Sequence, residues 1–179
     1  MERKRGNRNA AEKIAHAAER KADIIRLCEK HRDIAFHAFT NGTLINQSFC
    51  EEMLRVGNFF ASVSIEGFEQ ANDGRRGDGH FEKALAAMDL MHENRIPFGV
   101  SICYTSKNYK DVTSDEFLDL IISKGCYFAW YFHYMPVGMG ATTDLEAAES
   151  VEHLCGKCKA YAACWRPEAE KLWDEEHCE

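Results

Sequence analysis

Short apolar runs alternate with amphipathic segments of helical periodicity through the middle of this 179-residue chain. The pattern predicts four strands, over residues 34–39, 59–65, 97–104 and 127–135. It predicts helices before and between them, over residues 10–30, 48–56, 80–94 and 113–124. Such alternation produces right-handed β-α-β crossovers and a parallel sheet. The predicted fold class is therefore α/β. Four strands are too few to close an eight-stranded barrel, so the alternatives are an open sheet or part of a larger barrel.

Local signals place two helix starts and one loop. Ser48 with Glu51, and Thr113 with Glu116, have the spacing of a capping box, which predicts helices that start at these positions. Residues 66–79 contain four glycines and no helical periodicity, so we predict a polar loop.

Composition and charge exclude several classes of protein. Hydrophobic residues make up 45% of the chain and charged residues 28%, an ordinary globular balance. The net charge of −7 gives no electrostatic footprint for nucleic acid. No stretch approaches the roughly 20 apolar residues that a bilayer span needs, and residues 1–15 lack the apolar core of a signal peptide. We predict a cytoplasmic protein with no nucleic-acid or membrane partner.

The eight cysteines fall into two groups. Four are scattered through apolar segments and are predicted to be small core residues: Cys28, Cys50, Cys103 and Cys126. The other four crowd the C-terminal end of the chain: Cys155, Cys158, Cys164 and Cys178. Because disulfides are rare in a reducing compartment, this second group indicates a metal site, with an iron–sulfur cluster or zinc as the candidates. The alternative is a set of reduced, unligated thiols.

Candidate ligand-binding residues follow the strands, because parallel α/β sheets bind ligands at the carboxyl ends of their strands. They are Asn41 after the first strand, Ser64 and Glu66 after the second, Tyr104 and Thr105 after the third, and Met135 to Gly138 after the fourth. Ser64 can donate or accept a hydrogen bond, and Glu66 can accept one from a ribose hydroxyl or act as a base. In the 66–79 loop, Arg76 can bind a ligand carboxylate or pair with a neighbouring acid, and both alternatives stay open.

The two histidines on predicted strands, His37 and His133, are interpreted as hydrogen-bonded core residues rather than ligands. Neither a G-x-x-x-x-G-K phosphate loop nor a G-x-S-x-G elbow occurs in the sequence, which argues against P-loop and hydrolase classes.

Together the strand ends resemble the radical S-adenosylmethionine (radical SAM) superfamily, in particular members with a C-terminal SPASM or twitch extension. The matching pieces are AFTNGTLI, SVSIEGFEQANDGRRGDGHFEKAL and YFHYMPVG, within residues 23–144. The resemblance implies a partial barrel in which Ser64 and Arg76 hold the methionine carboxylate of S-adenosylmethionine. It also implies that Asn41 belongs to the cofactor site, that Glu66 lies near the ribose, and that the backbone from Met135 to Val137 lies against the adenine.

The same resemblance divides the chain into three parts: a basic tail and helix start (1–22), a partial core (23–144) and a Cys-rich extension (145–179). It implies that Cys155, Cys158 and Cys164 begin a site for an auxiliary 4Fe-4S cluster, with Cys178 as a candidate fourth ligand. The C-x3-C-x2-C loop that holds the family's catalytic cluster is absent, since no cysteine precedes Cys28.

The leading hypothesis is a partial radical SAM protein of the peptide-modifying or maturase kind, inactive alone. It would act on a peptide or protein substrate or join a complementary N-terminal half. The alternative is a non-catalytic α/β module with structural zinc, or a half-barrel that completes a partner chain.

Overall fold

The computed structural model describes residues 20–136 and 143–145. Four parallel strands form one sheet: β1 (Phe36–Thr40), β2 (Phe59–Ser64), β3 (Phe98–Tyr104) and β4 (Phe128–His133). Their spatial order is β1-β2-β3-β4, so each crossover leads to the adjacent strand and the sheet is wound in one direction. This is the arrangement of a barrel segment, and it confirms the predicted α/β fold with parallel strands alternating with helices.

Six helices accompany the sheet in the described part of the chain. They are α1 (residues 20–30), α2 (Gln47–Val56), α3 (Glu69–Arg76), α4 (His80–Glu93), α5 (Tyr109–Val112) and α6 (Asp115–Ser123). A single 3-10 turn, Thr143–Leu145, lies against the end of β3, where the Ser106 N–H donates to the Leu145 carbonyl over 3.1 Å. Among the described residues, no helix combines the length and apolar character that a membrane span requires.

Three local predictions were wrong. The N-cap of α2 is Asn46, whose side chain accepts from the Phe49 N–H over 3.0 Å, while the Ser48 hydroxyl only donates to the same Asn46 oxygen. The N-cap of α6 is Ser114, whose side chain accepts from the Phe117 N–H, while the Thr113 hydroxyl donates to the carbonyl of Tyr109, the first residue of α5. The predicted polar loop contains helix α3, whose only buried residue is Asn72. Because a helix without an apolar face gives no hydrophobic period, the sequence pattern could not reveal it.

The two faces of the sheet differ in character, because side chains alternate along each strand. On one face, Val63, Val100 and Ile102 are fully buried in a core that includes Met53, Met88 and Phe117 of the helices. The other face, which we call the inner face, is partly open, and it carries a set of aromatic and small polar residues: His37, Phe39, Phe60, Ser62, Ser64, Gly99, Ser101, Cys103, Phe128, Trp130 and Phe132.

Helix α1 is anchored beside β1 by polar contacts to backbone. The Asn58 amide nitrogen lies 2.9–3.1 Å from the carbonyls of Cys28, His31 and Ile34. In the sheet that residues 20–136 form, β1 is an edge strand, and a largely apolar groove of about 340 Å³ lies between α1, β1 and α2. Its lining includes Ile24, Ala38, Leu44, Ile45, Phe49 and Phe59.

Candidate functional site

The ends of β2 and β3 carry a charged cluster formed by Glu66, Arg75 and Arg76, here called the Glu66 cluster. The Glu66 carboxylate is fully buried, and both arginines of α3 donate to it. Arg76 Nε lies 3.1 Å from Oε1, and Arg75 Nη1 also donates to the Cys103 carbonyl over 3.3 Å. The arginine side chains keep 41% and 25% of their surface exposed. One buried carboxylate is therefore shared by two guanidinium groups that both keep surface exposed to solvent.

Two buried asparagines, Asn72 and Asn108, fix the backbone of Glu66. The Asn72 side-chain oxygen accepts from the Glu66 N–H over 3.1 Å. The Asn108 amide donates to the carbonyls of Glu66 and Cys103, over 2.9 and 3.1 Å, so it joins the ends of β2 and β3. Gly67 follows with a φ of 115°, and a Cβ there would lie 3.3 Å from the Asp111 Cβ. Only glycine combines this backbone angle with such close packing.

Sequence reasoning missed both asparagines. Their signal is weak, since a lone Asn in a polar segment is usually part of a turn or a solvated surface. Only the fold shows that both amides are buried.

Serines lie on the inner face next to the Glu66 cluster. The hydroxyls of Ser64 and Ser101 are 2.9 Å apart, on adjacent strands. Further down the same face, Ser62 Oγ lies 2.8 Å from His37 Nε2. Burial lowers the pKa of His37, so the ring is neutral at pH 7 and can share one proton with Ser62.

Aromatic rings cover much of the remaining inner face. His37 stacks on Phe60 at a centroid distance of 4.8 Å, and Phe39 contacts Phe132 edge-on at 5.4 Å. Phe128 lies across Gly99, where a Cβ would be only 2.3 Å from the ring. Phe39, Trp130 and Phe132 remain substantially exposed. In the register of the sheet, Trp130 pairs with Ser101 and Phe132 pairs with Cys103. Aromatic rings and serine hydroxyls therefore share the strand-end part of the inner face.

The other candidate residues have different surroundings. Asn41 is exposed, and its side-chain oxygen accepts from the N–H and hydroxyl of Thr43, which shapes the turn after β1. Met135 is 70% exposed after β4. His133 Nδ1 lies 3.0 Å from the Tyr104 hydroxyl, so the interpretation of a hydrogen-bonded histidine is consistent with the structure. Val137, Cys155, Cys158, Cys164 and Cys178 lie outside the described residues.

The scattered cysteines provide no cluster site. Cys28 and Cys50 are fully buried, and burial raises the pKa of the Cys126 thiol to about 11. Within residues 20–136 and 143–145, no three His, Cys, Asp or Glu side chains come together as metal ligands. The described residues therefore do not fit a 4Fe-4S cluster that cleaves S-adenosylmethionine, because such a cluster needs three thiolates.

The model of the radical SAM superfamily matches residues 7–121, and the chain belongs to this superfamily. Membership implies S-adenosylmethionine and an iron–sulfur cluster as the cofactors.

Two curated relatives indicate the range of chemistry in similar proteins. The chain is 29% identical over 115 residues to the Fe-coproporphyrin III synthase of Methanosarcina barkeri, which covers 62% of the chain and 28% of that protein. It is 29% identical over 102 residues to the serine-type anaerobic sulfatase-maturating enzyme of Klebsiella aerogenes. This match covers 55% of the chain and 24% of that enzyme. The chain thus spans about a quarter of the length of each of these relatives.

Solved structures share the fold. Streptococcus suis SuiB bound to S-adenosylmethionine superimposes with a TM-score of 0.66 at 17% identity, over 80% of this chain and 33% of that one. The structure of anSMEcpe with bound AdoMet and the Kp18Cys peptide gives a TM-score of 0.56 at 18% identity. This match covers 74% of the present chain and 37% of anSMEcpe. At these identities the likeness concerns the fold.

Proposed function

We propose that this chain binds S-adenosylmethionine at the carboxyl ends of its strands, as part of a radical SAM protein that modifies a peptide. The observation that carries the proposal is the pair of partly exposed guanidinium groups of the Glu66 cluster, which follows the strand that carries Ser64, whose hydroxyl pairs with that of Ser101. A partly exposed guanidinium and a hydroxyl on adjoining elements form a suitable receptor for an amino-acid carboxylate. These residues therefore fit the methionine end of the cofactor, with Ser64 and Arg76 as its ligands.

The remaining cofactor contacts are proposed from the resemblance. Asn41 would lie in the cofactor site and the backbone from Met135 to Val137 against the adenine. Glu66 has both carboxylate oxygens engaged by arginines, so in this arrangement it orients Arg76, and contact with the ribose would require one of these bonds to open.

The experiment is a calorimetric titration of the purified chain with S-adenosylmethionine. Arg76→Met should weaken binding at least tenfold, about 1.4 kcal/mol, because a charge-assisted hydrogen bond to a carboxylate contributes about that much or more. Glu66 keeps Arg75 as its partner, so the fold should persist, which circular dichroism will check. Arg26→Met is the control, since Arg26 is an exposed residue of α1 paired with Asp23. Equal affinities of the Arg76 and Arg26 variants would refute the site.

A peptide is the proposed substrate. SuiB has been solved with its precursor peptide SuiA, and anSMEcpe with peptides. In this chain the inner face exposes Phe39, Trp130 and Phe132, and aromatic rings of this kind can pack against apolar side chains of a peptide.

The sheet also has room for a complementary segment. Strand β1 is an edge, and the groove between it and α1 is lined by apolar side chains. An added parallel strand would pair with the β1 backbone and fill this groove, which is the usual way in which an open edge is covered. We propose that a complementary N-terminal half occupies it, in the same polypeptide or in a partner, and brings the C-x3-C-x2-C loop.

Iron and zinc analysis of anaerobically purified chain tests the metal proposals. We expect about four irons with equal acid-labile sulfide, bound by Cys155, Cys158, Cys164 and Cys178 as an auxiliary cluster. Cys155→Ala and Cys158→Ala should each lose this iron, whereas Cys126→Ala should keep it. One zinc per chain instead would support the structural-zinc alternative.

The same anaerobically purified chain, reconstituted with iron and sulfide, tests activity. With S-adenosylmethionine and a reductant, the chain alone should form no 5′-deoxyadenosine, and product should appear when a polypeptide with the C-x3-C-x2-C loop is supplied. Product from the chain alone would overturn both the inactivity and the complementary half.

A further inference from the structure

Two buried polar side chains, Asn72 of α3 and His80 at the start of α4, contact each other behind the Glu66 cluster. Asn72 is fully buried and His80 is 7% exposed. The Asn72 amide nitrogen lies 3.1 Å from His80 Nδ1. Nothing in the proposed chemistry uses either residue directly, although burial of two polar side chains is costly unless they are hydrogen-bonded.

The contacts of Asn72 fix the protonation state of His80. Because the Glu66 N–H donates to the Asn72 side-chain oxygen, the amide nitrogen must be the atom that faces His80. An amide NH₂ can only donate, so His80 Nδ1 must carry a lone pair and the ring proton must sit on Nε2. A second proton on Nδ1 would place two donors against each other. The Asn72–His80 hydrogen bond therefore exists only while His80 is neutral.

The surrounding charges favour the neutral ring. Burial and then the positive charge of Arg76 lower the pKa of His80, and Lys83 acts in the same direction. The Asp73 carboxylate and the backbone of Asn41 oppose this shift without cancelling it. The ring nitrogen Nε2 is buried and makes no hydrogen bond with the described residues. It carries a proton in the neutral ring as in the charged one, so charging the ring adds no hydrogen bond at Nε2 to offset the lost Asn72 contact.

This pair joins three elements of the site. Asn72 holds the backbone of Glu66 at the end of β2, while His80 begins α4. Between them, the Asp73 carboxylate accepts from the N–H groups of Gly79 and Phe81, over 2.6 and 2.7 Å. The short helix α3, which carries Arg75 and Arg76, is thereby tied at its middle to both neighbours.

We propose that Asn72 and His80 are positioning residues of the strand-end site: neutral His80 holds Asn72, Asn72 holds the Glu66 backbone, and acidification weakens ligand binding by breaking this link. The ligand readout rests on the proposed S-adenosylmethionine site, whereas the Asn72–His80 link can also be measured through the stability of the chain.

The pKa of His80 is lower in the folded state than in the unfolded state, so at high pH, where His80 is neutral in both states, its titration costs no stability. As the pH falls below its ordinary value of about 6.5, the unfolded state takes up the proton first and stability declines.

The test compares three variants with the wild type at pH 7.5 and 5.5, by S-adenosylmethionine titration and by urea unfolding. His80→Asn places an amide oxygen near the position of Nδ1 and has no proton to gain, so it should retain affinity and lose pH dependence. His80→Leu removes the acceptor and should bind weakly at both pH values. His92→Asn, an exposed histidine on the same helix, is the matched control. Wild type and this control should both bind S-adenosylmethionine less tightly at pH 5.5 than at pH 7.5, and the two losses of affinity should be equal.

The outcomes separate the two proposals. If His80→Asn shows the same acid loss of affinity and of unfolding free energy as the wild type, the positioning role is wrong. If the wild type binds no S-adenosylmethionine at either pH, the proposed function fails. The difference in unfolding free energy between wild type and His80→Asn then still decides whether the link exists.

Discussion

Glu66→Gln is expected to lower the free energy of unfolding by about 3 kcal/mol, the lower end of the cost of breaking a buried ion pair by removing one partner. The Glu66 carboxylate is fully buried and accepts from two guanidinium groups. The glutamine amide would present a nitrogen donor to one arginine and leave two like charges without a counter-ion. Partial exposure of both arginines limits the loss, because water solvates the charge that is set free.

Urea unfolding at pH 7.5 measures this effect. The matched control is Asp89→Asn, which removes the carboxylate of the Asp89–Lys124 pair, with atoms 2.8 Å apart and an aspartate side chain that is 47% exposed. An ion pair at the surface contributes at most about 1 kcal/mol. Similar losses in the two variants would show that the Glu66 carboxylate is not an ion-pair anchor of the strand ends.

The parallel sheet was predictable because its strands are apolar on the helix-facing side, with polar turns between them. Val63, Val100 and Ile102 are fully buried, and apolar side chains on one face of a sheet require a layer of helices to cover that face. The observed strands begin and end within two residues of the predicted bounds. Helix starts were harder to predict, because two neighbouring polar side chains can each cap the same helix. Asn46 and Ser48 are such a pair at α2, and Thr113 and Ser114 are the pair at α6. Only the folded structure shows which side chain accepts from the backbone.

The site was predictable only in part. Position after a strand was sufficient to select Ser64 and Glu66, because strand ends converge in a parallel sheet. The partner of Arg76 could not be decided, since a ligand carboxylate and Glu66 satisfy the same guanidinium. The positions of Arg75, Asn72 and Asn108 in the site depend on how α3 and the loop after β3 fold. Polar contacts hold these two elements in place. Hydrophobic periodicity carries no information about such contacts.

Phe117→Ala is expected to destabilise the chain by 3–5 kcal/mol, the usual cost of removing a fully buried phenyl ring. Phe117 lies on α6 with no exposed surface, and its ring contacts Phe68 edge-on at a centroid distance of 5.7 Å. Phe68 is the residue before α3 and has no side-chain hydrogen bond to cap that helix. The apolar contact therefore supports the start of a helix in which only Asn72 is buried.

Loss of this support should reach the site as well as the fold. We expect Phe117→Ala to weaken S-adenosylmethionine binding at temperatures where the chain is still folded, because α3 carries both arginines of the Glu66 cluster. Ile122→Ala on the same helix is the control, since Ile122 is 45% exposed and its truncation removes little buried contact. Unfolding free energy and cofactor affinity are measured on both variants. A Phe117→Ala chain that loses stability but keeps full affinity would show that Asn72, rather than the aromatic contact, is sufficient to hold α3 in place.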